Sequence, residues 1–255
     1  MEEKLKAFER LLNIMDDLRE KCPWDKKQTN ETLRPLSIEE VYELGDAILK
    51  KDDGGIKEEL GDLFLHLVFY AKIGEEQNKF NVADVLNSVC EKLIHRHPHI
   101  YGNTKAETED EVLKNWEQLK LKEGKKSILQ GVPESMPALI KAYRLQQKTA
   151  KVGFEWENTQ QVRDKVKEEE QELKEALSAN NQDEIEDEFG DLMFALVNYA
   201  RFIKVDPEAA LEKTNIKFKK RFEYIEKQAQ AKKLKLENMT LAEMDALWNE
   251  AKHQN

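Results

Sequence analysis

IEEVYELGDAI at residues 38–48 and KEEEQELKEAL at residues 167–177 stand 129 positions apart in one chain. On the same register EELGDLFLHLVFYA (58–71) falls on DEFGDLMFALVNYA (187–200). Without a gap, 14 of the 33 positions from Glu39 to Ala71 are identical. Chance would give about two, so the chain is an internal repeat. Apolar residues recur at three- and four-residue intervals, the helical period, and strand-like alternation is hard to find. The spacing predicts an all-α protein of two tandem helical repeats. Helices are expected near 2–20, 36–51, 56–78, 82–96 and 108–121, then near 137–150, 159–178, 183–203, 207–232 and 240–252. EGKKSILQGVPESMP (123–137), with two Gly and two Pro, reads as a linker between an N-terminal repeat (1–122) and a C-terminal one (138–255). CPWDKKQTN (22–30), HPHIYGN (97–103) and GFEWEN (153–158) read as loops.

Composition narrows the partners. Of 255 residues, 36% are charged while Gly (10) and Pro (6) are scarce, a balance that favours long, surface-charged helices. The net charge of −10 argues against a nucleic-acid polymer, which needs clustered Lys and Arg. A single nucleotide remains open, because carboxylates can meet phosphates through a bridging cation. Cys22 and Cys90 show no metal-ligand spacing and read as idle thiols of a reducing compartment. MEEKLKAFERLL, at the start, lacks the apolar core of a leader, and no run approaches a membrane span. A soluble, cytoplasmic protein is expected.

The shared residues carry the chemistry. Glu39, Glu40 and Glu43 match Glu168, Glu169 and Glu172, while Glu59 and Asp62 match Glu188 and Asp191. Each half thus carries EExxE, fifteen intervening residues, then ExxD. Residues three and four apart share a helix face, so each half presents two antiparallel helices with facing carboxylates. In so charged a chain an acidic face is ordinarily just solvated surface. Here the carboxylates flank the most apolar runs, where crowding is costly by repulsion and desolvation unless a cation is present. Oxygen-only ligands select a hard ion, Mg²⁺ or Mn²⁺. KLIHR (92–96) further matches KFKKR (217–221), and NWEQLK (115–120) matches LWNEAK (247–252). Each half therefore repeats a Lys–Arg pair and a Trp–Lys pair at i, i+4. Base can neutralise phosphate and indole can stack on a nucleobase, although a core or capping role for Trp116 and Trp248 fits the same pattern.

Other signals are weaker. HRHPH (95–99) contains Pro98, so its three imidazoles cannot share one helical face. A ferritin-like bundle needs Glu-x-x-His on two helices, and Glu250–His253 at the very end is the one instance. No GxxxxGK[ST] or GxGxxG phosphate loop occurs. A non-catalytic helical module holding Mg²⁺-nucleotide or a basic partner is the alternative to an enzyme.

Taken together, CPWDKKQT, IEEVYE, KEELGDL, KLIHRHPH, KVGFEW, EDEFGDLMFALVNYAR and KFKKRF resemble the signatures of the MazG family, within the all-α NTP pyrophosphatase superfamily. The resemblance runs from about Phe8 to Lys252 and includes the two-repeat layout. It implies an Mg²⁺-dependent nucleoside triphosphate pyrophosphohydrolase in nucleotide-pool housecleaning, homodimeric, with metal held by carboxylates in a four-helix arrangement. It also implies that Glu169, Glu172, Glu188 and Asp191 are the Mg²⁺ ligands. By the same resemblance Lys217 to Arg221 and Trp248 would contact the nucleotide, and Lys165, Glu168 and Lys252 are expected to join them. The C-terminal repeat would be the principal active unit, and Glu40, Glu43, Glu59 and Asp62 are expected to form a second, weaker metal site. Asp187 stands where the family generally has Glu, shortening the reach by one methylene. In the expected reaction Glu168, or a metal-bound hydroxide, supplies the nucleophile for attack of water at the α-phosphorus. Lys217 and Arg221 neutralise the departing pyrophosphate.

Overall fold

The computed structural model describes residues 1–104, 108, 111, 112, 115 and 127–253, and among these there is no strand. It divides into two compact units, Met1–Leu119 and Lys120–Asn255. Most of the helix expected at 108–121, including Trp116 and Lys120, lies outside the described residues, as does the linker before Ser127.

In the first unit, α1 (Glu2–Lys21), α2 (Asn30–Lys50), α3 (Asp53–Glu76) and α4 (Val82–Arg96) are followed by the single turn α5 (Pro98–Tyr101). Helix α2 begins at Asn30, upstream of the start expected near residue 36. Thr29 accepts from the Thr32 backbone N–H while the Thr32 hydroxyl accepts from that of Thr29, a reciprocal cap. That cap starts the helix early enough for Pro35 to sit inside it, at the cost of one backbone hydrogen bond. Lys51, in the left-handed region at φ 56°, ends α2, and Asp52 caps α3 by accepting from the N–H groups of Gly54 and Gly55. A Cβ on Gly55 would come within 3.2 Å of the Ala47 methyl, so glycine here lets the two helices converge at the turn.

Met15, Leu33, Val68, Phe69 and Ile73 form the buried core between α1, α2 and α3, with Phe8, Leu11, Leu12, Leu36, Leu65 and Tyr70 around it. Arg19 joins this core to the CPWDKKQT loop. Its guanidinium pairs with Glu76, donates to the carbonyls of Asp25 and Gln28, and lies 5.3 Å from the centre of the Phe69 ring.

The second unit contains α6 (Ala138–Ala150), α7 (Thr159–Ala179), α8 (Gln182–Phe202), α9 (Pro207–Ala231) and α10 (Leu241–Lys252). From Ser127 onward the expected linker is held by the buried Lys148, whose ammonium donates to the carbonyls of Ile128 and Gln130. Gly153, at φ +86°, turns the chain out of α6 into the GFEWEN loop, and Asn158 caps α7 through the Gln161 N–H. Asn180, left-handed at φ 55°, makes the α7–α8 turn at the register position of Lys51. Asp206 caps α9 ahead of Pro207, and a Thr240–Glu243 box caps α10. Helix α8 packs on α7 and α6, and α10 on α9.

The cores predict unequal responses to mutation. Phe69, inside the first unit's core, is 2% exposed, whereas Phe189, on the outer side of α8, is 56% exposed. Phe69→Ala should destabilise the first unit by about 3–5 kcal/mol, while Phe189→Ala should cost under about 1 kcal/mol of monomer stability. Chemical denaturation followed at each unit checks the contrast, and equal costs would contradict this packing.

Candidate functional site: a carboxylate cluster beside an aromatic-lined cavity

Helix periodicity and the tight α7–α8 turn bring the acidic residues together. In the second unit one carboxylate oxygen from each of Glu169, Glu172 and Glu188 lies within 4.8 Å of the others; Glu40, Glu43 and Glu59 repeat the arrangement between α2 and α3. Glu169 is buried, Glu188 half-buried and Glu172 exposed. Asp191 stands one helical turn beyond Glu188 and adds its charge to that carboxylate, as Asp62 does for Glu59 and Glu40. The expected sets of four ligands therefore occur as close triads with an aspartate alongside.

The electrostatics are those of a site short of positive charge. A hydrogen bond with Glu169, followed by desolvation and charge repulsion, raises the Glu172 pKa. Desolvation first, then Asp191 and Glu169, raise that of Glu188. Glu40 and Glu59 are raised in the same way, by desolvation first and then by their acidic neighbours. A carboxyl raised above its unfolded value favours the folded state at low pH and loses that contribution as pH climbs through the folded value. Near neutrality the clusters therefore oppose folding, and a divalent cation held between them would relieve the repulsion. The residues fit such an ion: the donors are all hard oxygens, and Glu188 Oε2 is buried with no hydrogen-bond partner.

Lys165 stands one turn before the cluster. Its ammonium lies 2.7 Å from both Glu168 and Glu169, and the two hydrogen bonds raise its pKa well above the ordinary lysine range. Glu168 is consequently tethered to Lys165 on the exposed side of the helix.

A cavity of about 590 Å³ opens beside these groups. Lys165, Glu169 and Asp191 line it together with Phe154, Trp156 and Phe194. The GFEWEN loop is fixed against α8 by Glu155. This carboxylate accepts from the Trp156 backbone N–H at 3.0 Å and pairs with Arg201 at 2.5 and 2.7 Å; Arg201 in turn donates to Asn198 Oδ1.

The basic and aromatic residues of α9 and α10 form a separate group. The Arg221 guanidinium lies 5.3 Å from the centre of the Trp248 ring, whose other neighbour is Phe218 at 5.1 Å. Arg221 Nε is buried and donates to no protein acceptor. Lys217 is exposed on the same helix, and Lys252 donates to Asn249. The Trp248 indole is thus engaged within the chain, and the tryptophan on the cavity wall is Trp156.

No short-range spacing marks the cavity wall, so Phe154, Trp156, Asn198 and Arg201 carry no role in the sequence pattern. The signal available was disagreement between the repeats. On the 129-residue register, Asn198 and Ala195 line the cavity, where the first repeat has the buried Phe69 and His66.

Comparison with known proteins identifies the family of the chain. The model for the MazG nucleotide pyrophosphohydrolase domain matches twice, at residues 28–101 and 157–225. The chain is 44% identical over 250 residues to the nucleoside triphosphate pyrophosphohydrolase/pyrophosphatase MazG of Thermotoga maritima, covering 96% of this chain and 95% of that one. It is 40% identical over 259 residues to the nucleoside triphosphate pyrophosphohydrolase of Escherichia coli K12, covering 98% of each. A crystal structure of a mazG-related protein from Thermotoga maritima, 31% identical, covers 44% of this chain and 98% of its own, with a TM-score of 0.40. With both domain matches falling on the two carboxylate hairpins and relatives matched end to end, the chain belongs to the MazG nucleotide pyrophosphohydrolase family.

Proposed function

We propose that this protein is a nucleoside triphosphate pyrophosphohydrolase that converts NTPs and dNTPs to monophosphates and pyrophosphate, with the second unit as its principal active site. The observation that carries this reading is the adjacency of a hard-oxygen triad to a cavity with aromatic walls. One end of such a site suits a cation-bound polyphosphate and the other a nucleoside. Glu169, Glu172, Glu188 and Asp191 would hold Mg²⁺, or Mn²⁺ in its place. Bound there, the ion would offset the charge of the triphosphate oxygens and polarise the phosphoryl group.

The remaining chemistry falls to the chain. Glu168, oriented by Lys165, accepts a proton from the attacking water. The new bond forms at the α-phosphorus, the bond to the α,β-bridging oxygen breaks, and pyrophosphate departs. Lys217 and Arg221 receive its charge; Arg221 keeps a buried N–H without a protein acceptor. Trp248 holds the Arg221 guanidinium through a cation–π contact, with Lys252 completing this basic edge. A role in clearing the cytoplasmic nucleotide pool follows from broad NTP hydrolysis.

The assembly we propose is a homodimer. Leu60, Phe64 and Leu67 on α3 and Phe189, Met193 and Leu196 on α8 make exposed apolar stripes at equivalent positions. Stripes of this size are unfavourable in water unless another helix covers them. A Cβ on Gly61 or Gly190 would meet nothing within 4 Å, so these helix-interior glycines leave room for a close external contact.

The first repeat we read as a cation-holding unit without a nucleoside cavity of this kind, because Phe69 and His66 are buried at the equivalent wall positions. Glu43→Gln should then lower activity by less than about tenfold, under 1.4 kcal/mol in barrier. Glu172→Gln should lower it by at least about a hundredfold. Steady-state rates measured on matched preparations decide this, and equal losses would mean two equivalent sites or one shared site. Hydrolysis in ¹⁸O-water should put the label in the nucleoside monophosphate. Label found only in pyrophosphate would place the attack at the β-phosphorus and refute the mechanism.

A further inference from the structure

We propose that Gln146 is the base-recognition residue of the second unit, its carboxamide oxygen accepting an N–H from the nucleobase. The proposal rests on the reading of this site as a nucleoside triphosphate pyrophosphohydrolase.

Gln146, on α6, is 6% exposed and lines the cavity. Its carboxamide nitrogen donates to the Phe194 carbonyl of α8 at 2.9 Å, while Oε1 is buried and accepts no hydrogen bond. The bond to Phe194 also fixes the orientation, because a flipped amide would set oxygen against carbonyl oxygen. A buried acceptor left without a donor is costly, and few native proteins tolerate one without a use for it. The atom here belongs to the wall of a cavity with room for a guest.

The rest of the wall defines that guest. Phe154, Trp156 and Phe194 offer apolar faces suited to a flat ring. Arg201 and Glu155 neutralise one another, so this part of the wall does not call for a charged ligand. Asn198 turns its oxygen to Arg201, which commits Oδ1 and leaves the amide nitrogen as a donor. A planar, neutral heterocycle carrying both an N–H and a ring or carbonyl acceptor satisfies all three conditions. Every standard nucleobase has such an edge, so the residue tolerates the normal bases. It selects against nucleotides whose base N–H has been replaced by alkyl groups.

The test uses the full-length protein with Mg²⁺, comparing ATP, N6-methyl-ATP, N6,N6-dimethyl-ATP and base-free ribose 5-triphosphate. Wild type should process ATP and the monomethyl compound alike, and the dimethyl compound about tenfold or more less efficiently, the scale of one buried hydrogen bond. Gln146→Leu should raise KM for ATP by a similar factor with kcat little changed, and should erase the preference for ATP over its dimethyl form. Its turnover of ribose 5-triphosphate should equal that of wild type. Equal processing of ATP and dimethyl-ATP by wild type would overturn the proposal. So would equal rejection of the mono- and dimethyl compounds, which would mark simple crowding. A Gln146→Leu protein that still discriminates, or that loses ribose 5-triphosphate turnover in parallel, would overturn it as well. Should Gln146→Leu fail to fold, Gln146→Met, closer in shape and lacking the carboxamide, takes its place with the same expected and overturning outcomes. Failure of the pyrophosphohydrolase reading is distinguishable, because wild type would then release no pyrophosphate from ATP or from ribose 5-triphosphate.

Discussion

Repulsion between carboxylates is the constraint around which each unit is arranged. Three acidic side chains from two antiparallel helices bring oxygens within 4.8 Å of one another, with an aspartate one turn away. Such a cluster persists only if the backbone beneath it is settled by other forces. The hairpins supply those forces through a left-handed residue at each turn, Lys51 or Asn180, and through apolar faces packed beneath the acids. The raised pKa values of Glu40, Glu59, Glu172 and Glu188 register the repulsion that remains. A hard cation held there, as proposed, would offset that repulsion, making an arrangement that is destabilising as protein favourable as a receptor.

Behind equivalent clusters the two units use their space differently. In the first, α1 brings Met15 against Leu33 and Phe69, and Arg19 spans the gap to Glu76 and the neighbouring loop. The space behind the acids is core. In the second, α6 presents Gln146 and Leu145 to α8, Asn198 replaces phenylalanine, and the Gly153 turn swings Phe154 and Trp156 across the opening. Arg201 still makes an ion pair, but with Glu155 of that loop, so the cavity wall is braced rather than filled. Duplication thus preserved the charged part of the site in both copies, while the apolar part diverged.

This division explains how much was legible from residues alone. Helix positions followed from the 3.6-residue period because an amphipathic helix repeats its apolar residues at that interval. Helix α2 starts upstream of the expected position 36 because the Thr29–Thr32 cap sets its boundary and Pro35 is accommodated inside it. The carboxylates could be paired in advance because i, i+3 and i+4 positions share a helix face whatever the surroundings. Trp248 showed the limit: spacing put it beside Lys252, yet its ring neighbours, Phe218 and Arg221, come from another helix.

By itself, then, the sequence determined the all-α character, the duplication and the identity of the two acid clusters, since all three depend on local period and short-range spacing. Tertiary structure alone decided which cluster faces a cavity and which aromatic lines it. It also decided that Gln146 has a spare acceptor, because that depends on Phe194, 48 positions away, engaging the amide nitrogen. Packing between distant helices sets such properties, and no local pattern records which side chain will occupy a space that three helices define together.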